Sequence, residues 1–342
     1  MRAGHRPTGI KRGQEQHRRR NAGAVGKSTA ARAERVRDTG RHFPETDTMN
    51  FQTSIDRTVA DLAAMLLPGL FRRGIRAHDL QDYLDGTELQ LPDPGLQRTH
   101  RVDVRSLDRR LQCAFRVLQW HGESAPTLIY HHGLLEFPFD AIIRNVIPYQ
   151  REGFPLNLIA VQAAYHRSFS QFSSDCDSLD KWMAMTAASI KLVDALCSRI
   201  KVMSNSRVAL TGPNFGGHIV NFHHRLIGGA DVYIPLLASG RMGDEMLAPP
   251  LRRLIARNAL AHEEELRTRL NAGVAFPAMP NNNIFPLLPQ REDEQLLELQ
   301  MTYFSGCDIE LIDRAFVSGA FSFRQLRNHI LDSLYKSYKV ND

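Results

Sequence analysis

The spacing of apolar and polar positions changes character twice along the chain. Over 51–71, Ile55, Val59, Leu62, Leu66 and Leu67 recur at helical spacing until Pro68-Gly69 breaks the pattern, which predicts a helix packed on the domain. A short helical piece around 78–84 leads into the proline-rich linker Leu91-Pro92-Asp93-Pro94-Gly95. His100, Val102 and Val104, then Leu111, Cys113, Phe115 and Val117, alternate with polar neighbours on either side of a polar break at 106–110. That is the pattern of a hairpin at the edge of a sheet.

From residue 127 the alternation gives way to short continuous apolar runs separated by helical stretches. Strands are predicted at 127–130, 157–161, 207–211, 231–237, 273–276 and 308–312, with helices at 179–200, 215–227, 250–271, 291–303 and 323–338. Apolar runs joined by helices call for right-handed crossovers and a mostly parallel sheet covered on both faces. Such sheets place ligands beyond the carboxyl ends of their strands. The 250–271 stretch, with Leu251, Leu254, Ile255, Ala259, Leu266 and Leu270 on one side, carries the helix-supporting pairs Glu263/Arg267 and Glu265/Arg269. Following the 231–237 strand, it suits a cap over the site. The expected organisation is a tail at 1–48, a helical preamble and linker at 49–97, and an α/β domain at 98–342 with cap helices over about 241–272.

With 342 residues and 43% hydrophobic content the chain can bury a full core. Cys113, Cys176, Cys197 and Cys307 show neither paired nor metal-ligand spacing, which argues for a reducing, cytoplasmic setting and against a disulfide framework or metal site. The net charge of +6 belongs to the tail: residues 1–42 hold 12 Lys/Arg against 3 Asp/Glu, leaving −3 for the rest. Lacking periodic apolar residues, the tail is expected to be disordered. It reads as a nucleic-acid-binding arm, an Arg-rich transit peptide, or a solvated extension upstream of a start at Met49. Nucleic acid is otherwise not an expected partner. Gly26-Lys27-Ser28 imitates the end of a phosphate-binding loop, but the leading glycine falls on Asn21 and no strand precedes it, so no cofactor is expected. No basic start followed by an apolar run marks a signal peptide, and no stretch of about 18 apolar residues predicts a membrane span.

The candidate chemistry lies in Arg207-Val-Ala-Leu-Thr-Gly-Pro-Asn-Phe-Gly-Gly-His218, a strand, a glycine-bracketed corner and a helix start. Gly212, Pro213, Asn214, Phe215 and Gly216 fill the frame Gly-x-Ser-x-Gly, with asparagine where a nucleophilic serine would stand. Asparagine tolerates positive φ but offers no attacking oxygen. In its motifs and order of elements the chain resembles the α/β-hydrolase superfamily over about residues 98–340. The resemblance implies an α/β-hydrolase fold with a small helical cap. It implies an oxyanion-hole-like loop at Gly133 and Leu134, completed by Phe215 after the corner. An equal alternative is that Gly133 only permits a tight loop and the histidines beside it end a strand. The triad acid then falls on Asn282, with Asn283 the neighbouring choice, and the base on Phe316, so that Asn214, Asn282 and Phe316 form a degenerate triad. His131, His132, His166 and His218 are candidates to face the cleft, and a Cys176–His166 pair is the one imaginable substitute nucleophile and base. The resemblance implies a protein that has lost its triad and binds a small apolar or acyl ligand, or a protein partner. The competing reading is an active ester, thioester or lipid hydrolase with a non-standard site.

Overall fold

The computed structural model describes Thr58 and residues 69–93, 95–96, 98–148, 155–204, 206–271 and 282–339. The expected tail at 1–48, nearly all of the expected 51–71 helix and the strand expected at 273–276 lie outside these residues.

After residues 69–79, which include a turn at 71–73, the chain forms α1 (Leu80–Asp85), β1 (Thr87–Leu89), β2 (Thr99–Ser106), β3 (Arg109–Gln119) and β4 (Thr127–His131). Next come α2 (Ala141–Val146), β5 (Asn157–Gln162), α3 (Phe169–Asp175), α4 (Leu179–Met203), β6 (Val208–Pro213), α5 (Phe215–Leu226) and β7 (Val232–Leu236). The insertion contains α6 (Met242–Leu247), a 3-10 turn at Leu251–Leu254, α7 (Arg257–Leu260) and α8 (Glu263–Leu270). The chain ends with β8 (Leu287–Pro289), α9 (Glu294–Tyr303), β9 (Glu310–Ile312), α10 (Phe316–Ala320) and α11 (Phe323–Lys339).

The described strands make one sheet in the order β1-β2-β3-β5-β4-β6-β7-β8-β9. β1, β2, β3 and β5 pair antiparallel, and every pair from β5 through β9 is parallel. Every residue of β4, β5, β6 and β7 is buried, as their largely apolar centres require when helices cover both faces, and the polar residues at the strand ends are buried with them. On one face α4 and α5 form the larger core with Trp182, Leu192, Phe215 and Ile219. On the other, Leu326, Ile330 and Leu334 of α11, spaced i, i+4, i+8, meet Ile142, Ile143 and Val146 of α2. The sequence expectation of an α/β chain with a mostly parallel, two-face-covered sheet describes this architecture.

Three details differ from the sequence reading. The β2–β3 hairpin is not at the sheet edge, because the three-residue β1 pairs outside it, Thr87 opposite Ser106. β8 was not foreseen: Leu287-Leu288-Pro289 is too short for any periodicity, and the sheet selects it by pairing Leu288 with Leu311. The 250–271 insertion is not a continuous helix. Pro249 and Pro250 lack amide donors, Ile255 is extended, and the chain makes separate short pieces instead. Its expected inward residues are nevertheless buried, and both expected ion pairs form, Arg267 to Glu263 at 2.9 Å and Arg269 to Glu265 at 3.1 Å.

Residues 69–77 strap this cap to the body. Leu70 donates to Leu254 O (2.7 Å) and accepts from Ala256 N (2.9 Å), Asn258 Nδ2 donates to Arg72 O (2.8 Å), and Arg269 Nη1 to Ala77 O (2.8 Å). On the body side Arg73 N donates to Asp177 O at 2.8 Å and Leu179 N to Gly74 O at 3.1 Å.

Candidate functional site

The corner between β6 and α5 is built by close approach. A Cβ on Gly212 would sit 2.4 Å from the His131 carbonyl oxygen, and one on Gly216 only 2.1 Å from it. Both contacts are with backbone, so neither position tolerates a side chain. Between them Asn214 is held at φ 53°, ψ −113°, a strained conformation for a residue with a Cβ. Its N–H donates to Leu236 O (2.9 Å) and its carbonyl accepts from His218 N (3.0 Å), fixing the tip between β7 and the first turn of α5.

The tip opens on a cavity of about 290 Å³. Gly133, Leu134 and Glu136 line one side, Leu251 and Leu254 of the cap another, and Phe316, Val317, Ala320 and the 62%-exposed Phe321 a third. Asn214 and Phe316 therefore converge on one space. The Asn214 Oδ1 is buried with no hydrogen-bond donor among the described residues.

Asn282 does not join them. It precedes β8, and its neighbour Asn283 accepts from Tyr233 N near the amino end of β7, whereas Asn214 lies beyond the carboxyl end of β6. The error comes from taking 273–276 as the penultimate strand. With β8 at Leu287–Pro289, the loop beyond that strand is 290–293, and its Glu292 accepts the Phe316 N–H at 2.5 Å. Glu292 was missed because nothing marks it without the strand; the short apolar run before it was the available signal.

The loop after β4 is organised by a second residue the sequence reading passed over. Glu136, 6% exposed, accepts from Tyr130 Oη (2.6 Å) and Gly133 N (2.9 Å) on Oε2 and from Ile142 N (2.8 Å) on Oε1. Burial outweighs these bonds and pushes its carboxyl up to about 7. The Gly133 N–H is thus committed to Glu136 and unavailable to an oxyanion. The Leu134 and Phe215 N–H groups find no acceptor among the described residues.

None of the four candidate histidines lines the cavity. His131, His132 and His166 are buried beneath the loop, and five of their six ring nitrogens face backbone of that loop or of the turn after β5, while His131 Nε2 finds no partner among the described residues. His132 Nε2 accepts from Ala163 N (3.0 Å), which leaves Nδ1 to donate to Gly133 O (2.6 Å). His166 faces Ala164 O at 3.1 Å and Leu134 O at 2.8 Å, and His131 Nδ1 faces His132 O at 3.1 Å. Burial lowers His131 to about 3 and His166 to about 4, and holds His132 well below the usual imidazole range. Burial likewise lifts the Cys176 thiol well above its ordinary value, and both His166 nitrogens face carbonyls, so no activated Cys176–His166 pair exists. His218 points away, its Nδ1 2.7 Å from Ser239 O and its Nε2 3.2 Å from Glu245 Oε2, where it fixes the entry into the cap. Glu245 Oε1 also accepts from Ser239 N and Oγ and from Gln300 Nε2. Among the described residues no group of three metal-ligand side chains converges, and no helix is long and apolar enough to cross a membrane.

No family profile and no curated protein matches the sequence. Among solved structures the chain is similar to Est1E from Butyrivibrio proteoclasticus, at 11% identity over 73% of this chain and 99% of that one, TM-score 0.44. It is also similar to an alpha-beta hydrolase from Vibrio vulnificus, at 15% identity over 69% and 81%, TM-score 0.47. A third similar structure is the acetyl xylan esterase from Paenibacillus sp. R4, at 13% identity over 80% and 94%, TM-score 0.40. The fold is carried by the chain's own features: antiparallel strands leading into a parallel run, the β5-β4-β6 crossover, and a glycine-bracketed corner with positive φ where β6 meets α5. By these features the chain has the α/β-hydrolase fold.

Proposed function

We propose that the protein is a non-catalytic member of this fold class that binds a small apolar ligand of acyl or ester-like chemistry in the cavity under the cap. The observation that carries the reading is the pair at its wall: Asn214 at the tip of the corner and Phe316 at the start of α10, beyond β9. An asparagine supplies no nucleophilic oxygen and a phenylalanine takes no proton, so the nucleophile and base of a triad are both missing where the fold would place them. The carboxylate, as Glu292, remains beside Phe316. Loss of a nucleophile or base from a triad costs about six decades in rate. What is left, an apolar pocket with a few polar groups at one end, has the character of a ligand site.

The test is to incubate the purified full chain with p-nitrophenyl esters of graded chain length and with a fluorophosphonate probe, and to follow its melting temperature in medium-chain methyl esters. The expected outcome is no turnover, no labelling and a rise in Tm. Turnover that disappears on changing Glu136 or Asn214 would sink the proposal and make the protein a hydrolase with a non-standard site.

A further inference from the structure

Among the described residues, the cavity wall carries a single ionisable side chain, Glu136. Among the same residues the only other polar side chain on the wall is Asn214, and neither the described cap nor α10 contributes a Lys, Arg or His. The donors on Glu136 are all neutral: the Tyr130 hydroxyl from β4 and the N–H groups of Gly133 and Ile142. The charged group acting on it is another carboxylate, Asp140, which is paired with Arg116 of β3 and Arg144 of α2, each at 2.7 Å.

An anionic head in this space would bring a second negative charge to an apolar site already holding one, with no cation on the wall to offset it. A cationic head would gain attraction to Glu136 but give up its hydration among apolar side chains, against a carboxylate that already accepts three hydrogen bonds. An uncharged amide or ester head gives up least, and Asn214 supplies an amide beside it.

Resting on the reading of this cavity as a ligand site, we infer that Glu136 makes it a charge filter: it admits medium-chain acyl compounds with uncharged amide or ester heads and refuses the corresponding anions. Because burial brings Glu136 to about 7, the filter weakens in mild acid, where the carboxyl becomes neutral.

Isothermal titration of the full chain at pH 8.5 and 6.0 tests this with octanamide and with sodium octanesulfonate, whose own charge does not titrate. Octanamide should bind with an affinity that changes less than about twofold between the two pH values. Octanesulfonate should bind at least about tenfold more weakly at pH 8.5 and recover about tenfold at pH 6.0, the effect of shifting one coupled carboxyl by a unit. In Glu136→Gln the gap at pH 8.5 should close; the pH comparison in the unaltered protein does not depend on that variant folding. Equal affinities for the two compounds at pH 8.5 overturn the filter and leave the ligand site standing, and so does octylamine binding more tightly than octanamide. Failure of octanamide and octanesulfonate alike to bind overturns both.

Discussion

Replacing Asn214 by glycine is expected to stabilise the protein, against the usual direction of a substitution to glycine. Three contributions set the sign. A side chain held at φ 53°, ψ −113° is strained by about 1–3 kcal/mol, which glycine relieves. The buried Asn214 Oδ1 has no donor among the described residues, and removing an unsatisfied buried acceptor recovers about 1 kcal/mol. Against these, glycine costs about 0.5–1 kcal/mol in added freedom of the unfolded chain. The balance is a gain of about 2 kcal/mol, or about 4 °C in Tm for a chain of this size. Asn214→Ala separates the contributions, since it removes the amide but keeps the strained φ, and should gain about 1 kcal/mol or less. Urea unfolding of the three proteins at pH 7.5, followed by circular dichroism, gives the comparison. A glycine variant less stable than the parent would refute the argument, because the corner would then not be strained. A corner that lowers stability and is still built by two glycines against the His131 carbonyl is consistent with a site whose geometry matters to a ligand.

Stability should also fall steeply in mild acid. His131, His132 and His166 have lowered values in the fold, so the unfolded chain takes up protons first; their contribution is complete above about pH 6.5 and is lost as pH drops toward the folded values. Glu136, raised to about 7, acts with the opposite sign between about 4.5 and 7, so that below about pH 5.5 the net uptake is near two protons, or about 2.7 kcal/mol per pH unit. Urea midpoints at pH 5.5, 5.0 and 4.5 measure this slope, and His131→Phe should reduce it by about one proton; a flat profile would contradict it. Asn214→Ser alone should remain unreactive toward fluorophosphonate, whereas Asn214→Ser combined with Phe316→His should label slowly, and adding Glu292→Gln should lower that rate by about tenfold or more. Labelling of the single serine variant as fast as the double would show that another base serves the site.

The parts of the fold legible in the sequence were those whose residues are chosen by burial alone. β4, β5, β6 and β7 have apolar centres because both their faces are covered, and α4 is long enough for its buried stripe to repeat several times. The corner was legible for a local reason, the impossibility of a Cβ at Gly212 and Gly216. What escaped was set by distant partners. β1 and β8 are three residues each and become strands only because Ser106 and Leu311 lie opposite. Missing β8 displaced the candidate acid from Glu292 to Asn282. Glu136 looked like an ordinary loop carboxylate because its three donors come from β4, the loop and α2, which the sequence does not place together. The histidines looked like candidates because residue type does not reveal whether a ring faces a cavity or a backbone carbonyl.

The strap formed by residues 69–77 also bears on the order in which the molecule can be completed. The Asn258-to-Arg72 hydrogen bond spans 186 residues, and the Leu70 pairing with Leu254 and Ala256 spans nearly as many. During synthesis from the amino end, this segment emerges first and has no cap partner until β1 through β7 have all followed. Contacts of such separation carry a large closure entropy and form late. The roof of the cavity is therefore among the last parts to set, and a nascent chain lacking its final third has a sheet and a corner but nowhere yet to hold a ligand.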